Sequence, residues 1–316
     1  MHGTDGSHGT DAAAERKRSP TDTRRVVVAL TVGVTALSFA APFFRRASPT
    51  HPLAASAIRL AVAAVLLAPF VVRAAQRGRL SRRVLVHAIL AGLAYAVHFG
   101  AWVTSLGLTT VAASVTIVTA TPLLLGVVAL LTGRDRPDRR HWLAIGLALA
   151  GLSIIGGHDG AFGSAALLGD GLAGLGAAAM ACYLLVGRRL GDTMDVWAYS
   201  GIATAVGSAA LFGFGALRGV PLGPASNEAL LYLVLAALVP QLVGHGLLTW
   251  SLRHARPTVV GIATVGEPVG ATFLTWAWLG ERVPAVVAVG CATVLVAVIA
   301  AVREPGRPKR HWAGGG

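Results

Sequence analysis

The sequence predicts an all-α integral membrane protein: ten transmembrane helices forming two inverted five-helix repeats, with both termini in the cytoplasm. Three observations predict it. Hydrophobic residues make up 54% of the 316 positions and charged residues 13%, against about 25% charged in a soluble domain. The charges are clustered, so that a run such as 84–104 contains no Asp, Glu, Lys or Arg. The two halves of the chain also carry matching features at a fixed offset.

An apolar run of about 20 residues is what a helix needs to cross ~30 Å of hydrocarbon. Backbone groups in lipid must bond internally, so a crossing segment is a helix or a strand of a closed barrel. Barrel strands alternate polar and apolar over about ten residues. The runs here are longer and do not alternate, so they are read as helices.

Residues 1–23 are polar, with HGTDGSHGTD nearly repeating itself, and read as a disordered tail. The first apolar run starts only after Arg25 and is long enough to span, so no cleaved signal peptide is expected. The expected spans are 26–44, 53–72, 84–106, 110–131, 142–157, 167–187, 196–217, 229–251, 257–279 and 284–302, the fifth being the shortest. They are separated by turn and charge clusters, among them RRASPTHP, RAAQRGRLSRR, GRDRPDRR and RGVPLGPASNE.

Basic residues fix the orientation. With the N-terminus inside, the cytoplasmic side collects 22 of the 27 Lys and Arg, from both tails and the second, fourth, sixth and eighth loops. The outer side holds only Arg45, Arg46, Arg218 and Arg282, and Arg59 lies within a span. Cytoplasmic loops carry such an excess, so the chain is expected in the plasma membrane with both termini inside. The net charge of +13 then faces anionic lipid headgroups, and no nucleic-acid partner is needed to explain it. Cys182 and Cys291 each sit in an apolar run, without metal-ligand spacing. No metal or cofactor is expected.

The internal repeat is visible around two prolines. Pro122 lies 13 residues before Asp135 and Pro268 lies 13 before Glu281, an offset of 146. Upstream, each half has a His followed by a Trp, His98 with Trp102 and His245 with Trp250. Each also has an Arg pair after its first helix, Arg45–Arg46 and Arg188–Arg189. The expected units are residues 24–160 and 161–303, followed by a tail at 304–316. Because five is odd, the second unit enters the membrane from the opposite side, a plan that places a binding site near the midplane.

Glu267–Pro268 within the ninth span and Leu279–Gly280–Glu281 at its end, set in two five-helix halves, resemble the EamA family of the drug/metabolite transporter superfamily. The resemblance covers about residues 25–302. It implies export of small organic solutes, often amino acids or related metabolites, by a secondary mechanism. The first half departs from the pattern, with Thr121–Pro122 in place of Glu–Pro and Thr–Gly–Arg–Asp in place of Leu–Gly–Glu. Any role of Glu267 is therefore not duplicated by symmetry.

Glu267 is the foremost candidate for the substrate and proton pathway. It sits about ten residues into a span, where an ionisable group costs at least about 2.5–3.5 kcal/mol and usually faces the bundle interior. The alternative is a structural carboxyl bonded to a neighbouring helix around Pro268. Arg59 either snorkels outward, pairs with Glu267, or grips a substrate carboxylate. In the third span His87, Tyr95, His98, Trp102 and Ser105 share one face. Tyr95 and His98 are deep enough to line a cavity, whereas His87 and Trp102 are near span ends and could be interfacial. Gln241 and His245 repeat the theme in the eighth span. Pro122, Pro268 and Pro240 are expected helix kinks. Trp276 and Trp278 read as belt residues, and Glu281 as a helix-end contact.

GDGLAG (169–174) fits a dinucleotide motif, but no strand precedes it. Its glycines, with Gly176, are read instead as sites of close helix approach, as are Gly266 and Gly270. There is no Walker A motif, HExxH or paired-Cys site. The expected function is a secondary exporter of a small metabolite or drug, proton-coupled and working by alternating access. The rivals are a membrane enzyme acting on lipid-linked substrates, for which Asp192 and Asp195 are the nearest acidic pair, and a passive facilitator. The oligomeric state, monomer or homodimer, is left open.

Overall fold

The computed structural model describes residues 20–109, 111–132, 139–157, 164–190, 195–255, 257–280 and 283–302. Among them the chain is helical: α1 (Pro20–Ser38), α2 (Ala40–Arg46), α3 (Pro52–Gln76), α4 (Arg82–Ser105), α5 (Val111–Val118), α6 (Thr121–Thr132) and α7 (Arg139–Gly157) in the first half. The second half has α8 (Ser164–Leu190), α9 (Val196–Leu217), α10 (Asn227–Ala236), a π-helical segment (Ala237–His245), α11 (Gly246–His254), α12 (Pro257–Thr264), α13 (Glu267–Leu279) and α14 (Ala285–Val302). Each expected span is helical over most of its described residues. Seven helical segments among the described residues are long and apolar enough to cross a membrane, and Ala285–Ala300 is a shorter apolar helix. Asp192, Glu281 and Arg282 lie outside the described residues.

Three expected spans are interrupted, and proline chemistry explains each. A proline has no N–H to give the carbonyl four residues back. Pro42 leaves the Ser38 carbonyl without that donor, and the chain turns at Phe39 between α1 and α2. Pro122 does the same to Val118, and the fourth span breaks at Thr119–Ala120. Pro268 does the same to Thr264, and the ninth span breaks at Val265–Gly266. Pro122 and Pro268 thus stand in the first turn of the half-helix that follows, where a missing N–H is tolerated. The eighth span stays helical past Pro240 by widening into the π segment, a device common at functional sites.

The packing pairs the halves. The second helix of each half, α3 and α9, pack along each other, as do the fourth spans α6 and α12 and the fifth spans α7 and α14. The first helix of each half packs on the third span of the other, α1 on the π segment and α11, and α8 on α4. Gly215, Gly207 and Gly201 of α9 face Leu53, Leu60 and Leu67 of α3, so these equivalent helices run in opposite directions. Without a hydrophobic driving force in lipid, small residues let backbones approach and hydroxyls bond across helices. Ser208 donates to the Ala57 carbonyl at 2.9 Å and Ser56 to the Phe99 carbonyl at 3.2 Å.

The expectation for the α8 glycines needs correction. A Cβ at Gly169 would stand 2.9 Å from Thr109, and one at Gly176 would stand 3.4 Å from the His98 carbonyl. Among the described residues Gly171 has nothing within 4 Å, and Gly174 meets only Ile117 of α5, in ordinary contact at 3.9 Å, so neither marks a close helix approach. On α13, Gly270 is pressed against Ser38 of α1.

Candidate functional site

The two broken helices and the centre of the bundle enclose a pocket with about 520 Å³ of space not filled by atoms, counting its mouth. Its lining includes Arg59, His98, Trp102, Thr121, His245 and Glu267. Sequence reasoning named five of these six. They come from α3, α4, α6, the π segment and α13, so both halves contribute.

Arg59 does not snorkel outward. Its side chain is fully buried, and none of its guanidinium nitrogens has a hydrogen-bond partner among the described residues. The guanidinium carbon lies 4.4 Å from the Phe99 ring centroid and 5.6 Å from that of Phe44. Ring faces attract cations, more so when water is excluded.

Glu267 opens α13, and its side chain is half-buried against the pocket. A carboxylate is favoured at a helix N-terminus, where unbonded amides carry partial positive charge. The single hydroxyl hydrogen of Ser38 on α1 is shared between the Val34 carbonyl at 2.9 Å and the Glu267 backbone carbonyl at 3.4 Å. No ion pair between Arg59 and Glu267 is present among the described residues, although both line one space. Thr121 takes the equivalent place in the first half. Its hydroxyl donates to the Val118 carbonyl at 3.0 Å, the carbonyl that Pro122 leaves without an amide. An ionised Glu267 has no proton to give in that way.

His98 Nδ1 lies 2.9 Å from the Gly176 carbonyl. A carbonyl only accepts, so Nδ1 carries the hydrogen, and Nε2 of the neutral ring is left as an acceptor. His245 packs edge-on to Phe99 with centroids 5.6 Å apart and lies 6.5 Å from the His98 ring. Trp102 is buried rather than interfacial, lines the pocket, and its indole N–H has no partner among the described residues. His87 bonds its own helix at Arg83 and takes no part.

Tyr95 and Gln241 are not among the pocket lining. They meet each other beside His245, Gln241 Nε2 donating to the Tyr95 hydroxyl at 3.4 Å. Tyr95 stacks on Tyr183 with centroids 3.8 Å apart, and Tyr183 stacks on Tyr199 at 5.3 Å. Sequence reasoning missed Tyr183. Its hydroxyl lies 3.2 Å from Thr249 Oγ1, whose hydrogen already goes to His245 O, so Tyr183 is the donor. Trp276 and Trp278 are exposed on α13. Asp195 is the N-cap of α9, its Oδ1 accepting from the Trp197 and Ala198 amides.

Paired apolar halves, with seven helical segments among the described residues long and apolar enough to span, define a multi-pass membrane protein. The sequence model of the EamA-like transporter family matches the chain twice, at residues 24–157 and 167–303. The chain belongs to that family, whose members are transporters. No curated protein is a significant match. A solved crystal structure is similar with a TM-score of 0.69 at 19% identity, covering 89% of this chain and 97% of that one. At that identity the likeness speaks to the fold alone.

Proposed function

We propose that the chain is a secondary active exporter of small organic solutes, driven by protons through Glu267 and working by alternating access. The observation that carries this reading is the pocket lined from both repeats, with one carboxyl at the break of α12 and α13. The equivalent break in the first half bears Thr121. A group that takes up and releases a proton must be reachable, and Glu267 faces the pocket rather than packed side chains. In this reading all ten helical spans cross the plasma membrane in two inverted sets, with both termini cytoplasmic. The opposed directions of α3 and α9 support the inverted sets, and the distribution of basic residues supports the cytoplasmic termini.

The test is solute efflux from proteoliposomes with and without an imposed pH gradient, comparing the wild type with Glu267→Gln. The wild type is expected to accelerate with the gradient while Glu267→Gln does not. An equal response of both would remove Glu267 from the coupling step. A gradient response in neither, with transport intact, would make the protein a passive facilitator.

A further inference from the structure

We infer that Arg59 is the anchor for a substrate carboxylate, so that the transported class is small monocarboxylates with an apolar or aromatic body. The inference rests on the transport reading for its physiological meaning but not for its binding test.

Arg59 is fully buried, and all three guanidinium nitrogens lack a hydrogen-bond partner among the described residues. Burying an unpaired charge is among the most costly arrangements in a protein. The rings of Phe99 and Phe44 offset part of that cost through their faces, but an aromatic face accepts no fork of N–H bonds. Arg59 is one of the residues lining the pocket, and its unsatisfied nitrogens are buried within that wall. A guest that enters and displaces the wall side chains over them gains a fork of donors that nothing else among the described residues uses.

The chemistry of the entrant follows from the surroundings. A guanidinium fork matches the two oxygens of a carboxylate. Arg59 is the only Lys or Arg among the described residues lining the pocket, and Glu267 shares the space. With Glu267 protonated, a monocarboxylate is matched by Arg59 alone, whereas a dianion such as a phosphate ester leaves one negative charge in excess; with Glu267 ionised, the dianion is the worse of the two by the same one charge. The remaining wall is largely aromatic and aliphatic, with Phe99, Trp102, Leu37 and Leu184, which suits an apolar body. The unpartnered indole N–H of Trp102 adds a donor in the same wall. Pairing with Glu267 is the competing account of Arg59, and it predicts no preference for acids.

The experiment is calorimetric titration of the purified full chain in detergent with matched acids and amides: phenylacetate against phenylacetamide, and butyrate against butyramide. At least one acid is expected to bind about tenfold or more tightly than its amide, the ratio of a charge-assisted bond to a neutral one. Arg59→Gln is expected to abolish the preference. Arg59→Lys keeps the charge but loses the fork, and is expected to weaken the acid several-fold. Equal affinity for acid and amide in the wild type, no measurable binding of either acid, or an acid preference surviving in Arg59→Gln would each overturn the assignment. If Arg59→Gln does not fold, the wild-type ratio and Arg59→Lys decide, and unchanged acid affinity in Arg59→Lys overturns it. Transport is scored separately in proteoliposomes. Acid binding without movement of any solute would strike the transport reading and leave the carboxylate anchor standing.

Discussion

Gln241 Nε2 donates to the Tyr95 hydroxyl at 3.4 Å, and the two residues are 146 positions apart, the offset that separates Pro122 from Pro268. Phe99 and His245 share that offset, and their rings meet edge-on at 5.6 Å. A residue that touches its own counterpart lies on the axis relating two copies. These pairs therefore mark the line about which the halves are related, and the pocket lies beside it. The contact is also exacting, because Gln241 Oε1 is already without a partner among the described residues.

Removing the hydroxyl in Tyr95→Phe leaves the buried Gln241 amide with neither end bonded. We expect a loss of about 1–3 kcal/mol in stability. Gln241→Leu alone should cost less, and the double variant should cost less than the sum of the two. Denaturant unfolding in detergent of all four proteins measures the coupling, and strict additivity would mean the pair is not interacting.

Gly270→Ala should destabilise by about 1–3 kcal/mol, since its Cβ would drive into Ser38 of α1. Gly171→Ala has open space around it and should be neutral or slightly stabilising, because Ala is the better helix former. Thermal unfolding of the two variants side by side checks the contrast.

Thr121→Val takes away the hydroxyl that serves the Val118 carbonyl. A cost of about 1 kcal/mol is expected. Adding Pro122→Ala supplies a backbone amide for the same carbonyl, so the double variant should recover stability. Failure to recover would show that the hydroxyl does not substitute for the missing N–H.

Phe99→Leu keeps an apolar wall but removes the ring face 4.4 Å from the Arg59 guanidinium. A loss of about 0.5–2 kcal/mol is expected in unfolding experiments. Pairing this change with Arg59→Met should show coupling, since without the cation the ring has less to contribute.

The helices and the repeat were legible in the sequence because hydropathy and charge act over twenty residues at a time. Most of the polar residues that line the pocket were legible for the same reason. An ionisable or polar group such as Arg59, Glu267 or His98 within an apolar run stands out at once. What was not legible depends on rotation about a helix axis. Tyr95 and His98 share a face of α4, yet His98 lines the pocket and Tyr95 turns into the tyrosine stack. Tyr183 gave no pattern to follow, lying singly among Ala and Leu. The break at Phe39 did have a signal, Pro42 three residues on. The Tyr95–Gln241 contact had one too, the shared offset, but only an axis in space turns that number into a bond.

The interrupted fourth span of each half has a mechanical consequence. An unbroken helix is a rod, and tilting one end must tilt the other. Here each rod is cut at the depth of the pocket, at Thr119–Ala120 and Val265–Gly266. The four pieces are levers on two pins, α5 and α6 on one and α12 and α13 on the other. One piece of a cut rod can tilt without carrying the other with it, which is the freedom that the alternating access proposed for this chain requires of these spans.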